Sequence, residues 1–306
     1  MNTLQAMATF VAIVEQGSLT AAAASLTKSL RSVVRVLASL EQDLGVRLLN
    51  RTTRRIGLTE EGSRYLERCR QILDDVAETE RLMSAQQSEP SGLLKVTAPV
   101  LFGQMHVTPS ICGFVERYPR INIDLQLLDR TVDLIDEGVD VGIRIAHLQD
   151  SSMVGVPVGQ IHRVVCASPK LLNKTKIPRR PEALAGFDCI KFTGLGAGSS
   201  WSFKQDGRDL SVPIKGPLRI NHAAAAIDAC VAGLGFGAFL SYQVEPSIKS
   251  GKLKRVLSDF ELPPILVNVL FPHGRLISTR MRVFVNWITR DLRAAFHYGG
   301  AATDSP

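Results

Sequence analysis

The chain is poor in cysteine, and the five cysteines that it has are widely spread. They stand at positions 69, 112, 166, 189 and 230, and no two of them form a CxxC pair. This spacing argues against a disulfide framework and against a zinc site. We expect isolated, reduced thiols that are mostly buried, with a redox switch between two of them as the alternative.

The sequence also lacks a long apolar run. Its first residues, MNTLQAMATFVAIVEQG, have no basic n-region and no small-residue cleavage site, which argues against a signal peptide. Their apolar residues recur with helical spacing instead. No run approaches the ~18 consecutive apolar residues that a membrane span needs. The sequence therefore predicts a cytoplasmic protein without a membrane partner.

The composition that is present is typical of a globular protein with an excess of basic residues. Of the 306 residues, 45% are hydrophobic and 21% are charged, which suffices for a sizeable core. The length predicts one or two domains. The formal net charge is +7 and the pI about 9.3, so the sequence favours an anionic partner without identifying it.

Three helices are predicted in the first 45 residues, at 1–16, 18–26 and 29–44. Ser18 is predicted to cap the second helix and Ser29 the third, which Gly45 ends. On a helical wheel the third has an apolar face, formed by Val33, Leu37, Leu40 and Leu44, and an opposite face with Arg31, Val34, Arg35 and Ala38.

The basic face of this third helix suits the major groove of DNA. Arginine can bind both acceptors of a guanine, and an exposed valine can contact a thymine methyl group. This favours a helix-turn-helix over residues 19–38, although a helical hairpin with solvated arginines explains the wheel equally well. The DNA-binding residues predicted in this unit are Ser18, Thr20, Ser29, Leu30, Arg31, Ser32, Val34 and Arg35.

A basic segment, RTTRR, follows in a predicted β-hairpin. Arginines interleaved with threonines can hold phosphates, which gives salt-dependent affinity without reading the base sequence. A solvated charged loop would explain this segment alone, but two adjacent basic elements with complementary roles favour DNA binding. The contacts predicted in this wing are Arg51, Thr52, Thr53, Arg54 and Arg55.

The segments GSLTAAAASL and LEQDLGVRLLNRTTRRIGLTEEG closely resemble the N-terminal winged helix-turn-helix of LysR-type transcriptional regulators. Order, spacing and identity agree together over residues 1 to about 65. Later segments, VTAPVLFG, LDRTVDLIDEGVDVGIRI, RVVCASP and VAGLGFGAFLS, are similar to the effector-binding part of that family, most of all to the branch that includes CrgA. The resemblance implies two α/β lobes like those of periplasmic binding proteins, with a small effector between them.

The start of the third helix departs from the family's pattern. The family commonly has Ser-Gln-Pro-Ala-Val-Ser-Arg there, whereas this chain has SLRSVVR at residues 29–35. Leu30 and Val34 replace a glutamine and a serine of that pattern. The operator sequence is therefore not expected to match those of better-known relatives.

From Leu93 onward, strand-like and helix-like segments alternate, which favours a mainly parallel, doubly wound sheet. Helices are predicted around residues 111–117, up to Gly138, at 223–232 and at 279–296. The predicted fold class is α/β. Its parts are a winged helix-turn-helix (1–59), a long linker and dimerisation helix (60–89) and a two-lobed, periplasmic-binding-protein-like domain (90–300). The first lobe is expected at about 90–162 and 266–300, and the second at about 163–265.

Thr59 is predicted to cap a long helix that begins at Glu60. This helix carries apolar residues near a coiled-coil spacing, at Leu66, Cys69, Leu73, Val76 and Met83. We expect this helix to pair two chains, so that two recognition helices meet a two-fold-related site. The family resemblance implies tetramers as the usual form and allows larger rings. RNA polymerase is a further candidate partner.

The effector is expected at the carboxyl ends of the strands, beside helix starts. Backbone N–H groups there favour an anion, and an arginine can add charge, so an organic acid is the predicted effector class. Each residue has an ordinary structural role as its alternative, such as capping a helix or forming an ion pair. The predicted effector-binding residues are Thr97, Pro99, Val100, Phe102, Asp129, Thr131, Arg144, Phe192, Thr193, Asn221 and His222.

Two glycine-rich runs, TGLGAGSS and AGLGFGA, lack the GxGxxG spacing and the strand-to-helix context of a nucleotide site. We find no nucleophile–base–acid set and no metal cluster in the sequence, and so predict neither an enzyme nor a cofactor. The predicted function is a DNA-binding transcriptional regulator. The alternatives are a solute-binding or enzymatic α/β protein with an incidental basic domain, and a nucleoid-like protein without sequence preference, which would need no sensor domain.

Overall fold

The computed structural model describes residues 2–52, 55–83, 89–130, 133–146, 153–195, 199–272 and 278–296. The chain divides into two compact units, of which the first is essentially residues 1–92 and the second is the remainder. None of the described helices has the length and apolar character that crossing a membrane requires.

The first unit contains three short helices, a hairpin and a long helix. In chain order these are α1 (Thr3–Glu15), α2 (Leu19–Ser25), α3 (Leu30–Leu44), β1 (Leu49–Thr52), β2 (Arg55–Leu58) and α4 (Glu60–Met83). The two strands pair antiparallel, as the predicted hairpin requires.

Side-chain caps explain where α2 and α3 begin. Ser18 Oγ accepts the Ala21 N–H at 3.0 Å, and Ser29 Oγ accepts the Ser32 N–H at 3.2 Å, which confirms both predicted caps. Gly45 ends α3 at φ 70°, in the left-handed region that glycine adopts without strain.

The core of the first unit holds the apolar faces of α1, α2 and α3. Val33, Leu37 and Leu40 are buried there, as the helical wheel predicts. Leu44 is 40% exposed, so the prediction that it shares this buried face is wrong. It is the last residue of α3, one turn beyond Leu40, where the helix ends and the chain turns at Gly45.

The start of α4 lies directly against the segment that leads into the hairpin. Thr59 Oγ1 accepts the Gly62 N–H at 2.9 Å and donates to the Arg47 carbonyl at 2.8 Å, which confirms the predicted cap. A Cβ atom at Gly62 would lie 1.9 Å from the carbonyl oxygen of Leu48. The close approach of the two backbones therefore requires glycine at this position.

We expect Gly62→Ala to lower the free energy of unfolding by about 1–3 kcal/mol or more, because the added methyl group meets rigid backbone. Gly57→Ala is the matched control, since a Cβ atom at Gly57 has its nearest neighbour at 3.9 Å. Urea unfolding of the full chain measures both variants. Equal stabilities would contradict the backbone contact.

The second unit is built from short strands and helices. Its strands are β3 (Gly92–Ala98), β4 (Ile121–Leu127), β5 (Val141–Ile145), β6 (Met153–Ile161), β7 (Arg163–Ala167), β8 (Cys189–Phe192), β9 (Ser200–Gln205), β10 (Arg208–Pro213), β11 (Arg219–Ile220), β12 (Phe236–Leu240), β13 (Lys254–Val256) and β14 (Ile265–Pro272). Its α-helices are α5 (Val100–Phe102), α6 (Thr108–Arg117), α7 (Pro169–Leu172), α8 (Ala223–Val231), α9 (Ser241–Lys249) and α10 (Thr279–Ala295). A π-helix (Gly103–Val107) joins α5 to α6, and 3₁₀-helices span Pro181–Gly186, Thr193–Leu195 and Ser258–Phe260.

Two five-stranded sheets define two lobes. The strand orders are β4-β3-β5-β14-β6 in the first lobe and β11-β8-β12-β7-β13 in the second. The late strand β14 lies antiparallel between β5 and β6, and β7 lies antiparallel between β12 and β13. Apart from β14 and β7, the strands with described pairings run in one direction within each sheet, as expected of a mainly parallel sheet. The two reversed strands are those by which the chain returns to the first lobe, in β14, and enters the second lobe, in β7.

The helix predicted to end at Gly138 is wrong, because residues 134–138 form a turn. Asp133 Oδ1 accepts the N–H groups of Ile135 and Asp136 at 2.9 and 3.0 Å, a local arrangement that competes with a helix. Gly138 then takes φ 63° and ends the turn. Strand β6, helix α9 and the β9–β10 hairpin are elements that the sequence reading missed.

Candidate functional site

Helix α3 presents two arginines and two apolar side chains on its exposed face. Arg31 and Arg35 are exposed, and in the part of the chain that the structure describes neither forms an ion pair. Leu30 and Val34 are 45% and 36% exposed. This surface is cationic and apolar at once, which fits the edges of bases flanked by phosphates.

Small residues hold α2 close to α3 and so fix the direction of this surface. Ala22 and Ala23 are buried between the helices. The turn between the helices places Thr27 at φ 52°, a left-handed conformation that glycine usually takes. Of the other predicted contacts, Thr20 is exposed and Ser32 is half-buried.

The hairpin is anchored to α3 by a side chain that the sequence reading missed. Glu41 Oε1 accepts the N–H groups of Leu48 and Leu49, at 2.9 and 3.3 Å. Glutamate in the last turns of a helix gives no signal of this role, because its partners are backbone groups beyond the helix end.

Three of the five predicted wing residues, Arg51, Thr52 and Arg55, lie in the strands of this hairpin. The backbones of Thr52 and Arg55 pair across it, and that of Arg51 pairs with Ile56. The side chains of these residues, and all of Thr53 and Arg54, lie outside the described residues.

The first part of α4 belongs to the core of the first unit. Leu66 and Cys69 are buried, and the ring of Tyr65 lies 5.7 Å from that of Phe10. Burial raises the pKa of Cys69 to about 11. These two predicted seam residues therefore pack within the chain, whereas Ile72, one turn further on, is 38% exposed.

Two predicted effector residues of the first lobe, Thr97 and Arg144, meet at the ends of β3 and β5. Arg144 is half-buried, and its Nη2 donates to Thr97 Oγ1 at 3.4 Å and its Nη1 to the Ile143 carbonyl at 2.8 Å. Burial lowers the pKa of Arg144, and the nearby Glu137 opposes this. A half-buried guanidinium whose described hydrogen bonds go to neutral oxygens is a candidate anion ligand.

At the start of α5, a backbone N–H group donates a hydrogen bond to a carboxylate of the protein itself. Asp129 Oδ1 accepts the Val100 N–H at 2.9 Å, beside Pro99 at the helix start. The structure therefore brings Pro99, Val100 and Asp129 together. Thr131 lies outside the described residues.

The second lobe brings together the other predicted effector residues. Phe192 ends β8 and pairs with Ile220 of β11, and Thr193 Oγ1 donates to the Ile220 carbonyl at 3.4 Å. Asn221 is exposed, and the exposed His222 precedes α8 without a side-chain cap.

Leu101 of α5 lies between the predicted effector residues of the first lobe and those of the second. The sequence did not predict this position. Its side chain packs against the core of the first lobe and against the same second-lobe cluster that Phe192 and Ile220 contact. The strand ends of the second lobe therefore lie near the helix that follows β3.

Phe102 lies in the core and not at the surface. Its side chain is fully buried, and its ring contacts those of His106, Tyr242 and Phe296 at centroid distances of 4.9, 5.2 and 5.6 Å. The structure thus separates Phe102 from the other residues of the predicted effector set. Nothing in the sequence reveals that Phe102, and not its neighbour Leu101, is the fully buried residue.

His106 lies in the π-helix among these aromatic rings. Its Nε2 is buried and has no hydrogen-bond partner among the described residues. Burial lowers the pKa of His106, and the nearby Glu245 opposes this. We therefore expect a neutral imidazole at pH 7.

Acid is expected to destabilise the second unit through His106. In the unfolded chain histidine titrates near a pKa of ~6.5, so below that pH the unfolded state binds more protons than the folded state. Stability is lost as the pH falls through ~6.5. His106→Phe, which suits the aromatic cluster, should flatten this loss. Urea unfolding between about pH 5 and 8 measures the free energy of unfolding of both proteins. Parallel pH profiles of variant and wild type would contradict the role of His106.

Three of the five cysteines are buried around the second sheet. Burial raises the pKa values of Cys166, Cys189 and Cys230 to about 12, so these thiols stay protonated and unreactive. Cys112 is exposed. The described residues contain no cluster of three or more histidines, cysteines and carboxylates suited to a metal ion.

Comparison with known proteins places both units in one family. Residues 4–63 match the profile described as "Bacterial regulatory helix-turn-helix protein, lysR family", and residues 87–293 match "LysR substrate binding domain". A transcriptional repressor of the helix-turn-helix type from Pseudomonas aeruginosa is 34% identical over 290 residues, covering 94% of this chain and 92% of the relative. The chain belongs to the LysR family.

Solved structures of LysR-type regulators have the same fold. The CrgA structure from Neisseria meningitidis matches with a TM-score of 0.60 at 30% identity, over 94% of this chain and 98% of that one. The Vibrio cholerae virulence activator AphB matches with a TM-score of 0.60 at 26% identity, over 93% and 98%. The protein is thus a LysR-type, DNA-binding transcriptional regulator with an effector-binding domain.

Proposed function

We propose that the protein regulates transcription by placing α3 in the major groove of an operator, under the control of a small organic acid bound between its two lobes. The observation that supports this most is the exposed face of α3, where Arg31 and Arg35 lie without an acidic partner among the described residues. In helix-turn-helix proteins the N-terminal part of this helix contacts base edges.

The two DNA-binding elements have different roles in this proposal. Arg35 and Arg31 reach guanine edges, and Thr20 and the capped ends of α2 and α3 approach the phosphates. The wing residues, Arg51 to Arg55, add contacts to the backbone that do not depend on sequence. Winged helix-turn-helix, linker helix and effector domain are assigned to residues 1–59, 60–89 and 90–300.

Pairing of two chains through α4 would place two recognition helices on one operator. Ile72 is exposed on α4, and Leu73 and Val76 are half-buried, so an apolar strip remains beyond the core of the first unit. The protein is accordingly assigned as a homodimer or homotetramer, with larger rings as a further form. It acts in the cytoplasm, with RNA polymerase as a candidate partner.

The effector is assigned to the end of the first sheet that faces α9 and the second lobe. Arg144 supplies the positive charge, Thr97 orients it, and Val100 offers the helix start once Asp129 yields its hydrogen bond. Phe192, Thr193, Asn221 and His222 close the site from the second lobe. Effector binding then changes lobe closure, and operator affinity changes by a coupling energy of about 1–3 kcal/mol.

Selection of bound fragments from the genomic DNA of the source organism tests this function. Purified full-length protein is mixed with the fragments in excess competitor DNA at physiological salt. Enrichment of a few sites that share a two-fold-related sequence is the expected result. Recovery of fragments without any shared sequence would overturn the proposed function.

The wing is expected to set the salt dependence of operator binding. If Arg54 binds one phosphate, Arg54→Ala should reduce the slope of log affinity against log salt concentration by ~1, because fewer counterions are released. Titrations of operator DNA at three or more salt concentrations measure the slope. An unchanged slope would exclude Arg54 from the phosphate contacts.

A further inference from the structure

Two exposed apolar side chains on α3 have no role in the fold. Leu30 is 45% exposed and Val34 36% exposed, although Val33 between them is fully buried. Leu30 is the first residue of α3 and Val34 lies one turn later, so both project from the same side near the helix N-terminus. Ala38, another turn along, is exposed as well. An apolar row therefore runs along the surface that is proposed to enter the groove.

A cationic row runs beside the apolar row. Arg31 and Arg35 follow Leu30 and Val34 in sequence, and both lie outside any ion pair in the described part of the chain. An apolar strip without charges could equally well bind another protein helix. The flanking arginines favour a polyanion that also offers apolar groups, which is the character of the DNA major groove.

The major groove of ordinary DNA has one kind of apolar group, the C5 methyl group of thymine. 5-Methylcytosine carries the same group at the same ring position. We propose that Leu30 and Val34 recognise C5 methyl groups of pyrimidines in the operator, so that this helix reads methyl groups where a polar side chain would read hydrogen-bonding groups. The inference rests on the proposed function.

The spacing of the two side chains predicts the spacing of the methyl groups. Residues four apart on a helix are separated by about 6 Å along its axis. Base pairs follow one another at about 3.4 Å along the duplex. A recognition helix lies at an angle to the duplex axis, so residues one turn apart reach bases one or two steps apart. Two methyl groups one or two base pairs apart in each half-site therefore match Leu30 and Val34, with Arg31 and Arg35 free to contact the guanines or phosphates beside them.

Removing single methyl groups from the operator tests the inference directly. Each thymine of the selected operator is replaced in turn by uracil, which keeps every hydrogen-bonding group and lacks only the methyl group. At one or two positions in each half-site, replacing thymine by uracil is expected to weaken binding by about fourfold for each methyl group that the protein buries. At these positions, 5-methylcytosine should be bound about fourfold more tightly than cytosine.

Variants connect this sensitivity to the two side chains. Leu30→Ala and Val34→Ala should each make one of the sensitive positions indifferent to uracil, and neither is expected to unfold the protein, because both side chains are exposed. Leu44→Ala is the matched control, since Leu44 is also 40% exposed but lies at the far end of α3. The control should keep the full uracil sensitivity of the wild type.

The outcomes separate this inference from the function on which it rests. Specific binding that tolerates uracil at every thymine and gains nothing from 5-methylcytosine at any cytosine, or that is weakened by uracil equally in the wild type and in both variants, would overturn methyl recognition and leave the regulator intact. Failure to select any operator would instead overturn the proposed function. A natural site with thymine at the sensitive positions assigns thymine as the ligand, and one with cytosine there, bound more tightly after methylation, assigns 5-methylcytosine.

Discussion

Arg35→Ala is expected to lower affinity for the operator by about 5- to 150-fold in each half-site, while affinity for random DNA changes little. The expected loss follows from the two hydrogen bonds that an arginine fork makes to one guanine, which contribute ~1–3 kcal/mol to discrimination. Arg35 is exposed on α3, within the first turns that approach the bases, and it has no ion-pair partner among the described residues. Binding to operator and to random duplexes, measured at the same salt concentration, gives the two affinities.

Arg35→Lys separates charge from geometry in this experiment. Lysine keeps the positive charge but lacks the planar fork, so it should retain affinity for random DNA and lose most of the preference for the operator. Equal losses on both kinds of DNA in the alanine variant would contradict base recognition and would assign Arg35 to phosphate contacts.

Arg144→Met is expected to remove the response to an anionic effector. Hydrogen bonds to a charged group contribute ~1.5–3 kcal/mol, so effector affinity should fall by about 10- to 100-fold. Operator affinity without effector should stay the same, because Arg144 lies in the second unit and its described hydrogen bonds go to Thr97 and to the neighbouring Ile143. Thermal-shift titrations with a library of small carboxylates identify a ligand and measure this loss.

Asp129→Asn is expected to have the opposite effect on the same ligand. The asparagine carbonyl can still accept the Val100 N–H, so the start of α5 keeps its cap while the site loses a negative charge. Affinity for a carboxylate should therefore rise severalfold. Arg208→Met, which replaces an exposed arginine on β10, is the control for a general loss of positive charge. A gain in Arg144→Met together with a loss in Asp129→Asn would indicate a cationic effector instead.

The first unit follows closely from its sequence because local signals decide it. Ser18, Ser29 and Thr59 are caps whose partners lie three residues away, and the period of the apolar residues fixes the buried face of α3. The hydrogen bonds between Glu41 and the hairpin could not be predicted, because they depend on how α3 and the next segment meet in space. Leu44 was placed wrongly because the helical wheel does not include where a helix ends.

The second unit was harder to predict because its sheets join distant segments. The run that forms β14 reads clearly as a strand, but nothing local places it antiparallel between β5 and β6. Except for the buried Phe102, the predicted effector residues that the structure describes lie at or just beyond strand ends, as expected from the alternation of strands and helices. The full burial of Phe102, beside a Leu101 that contacts the clusters of both lobes, depends on packing between distant segments and could not be predicted from the sequence.

Protection of DNA upstream of the protein's own gene tests sequence recognition by α3. Wild type and Arg35→Ala are compared in nuclease footprints, with excess competitor DNA at physiological salt. We expect a protected site with two related halves for the wild type, and loss of this protection at the same concentration of the variant. Protection without a fixed boundary, or identical protection by both proteins, would contradict sequence recognition by α3.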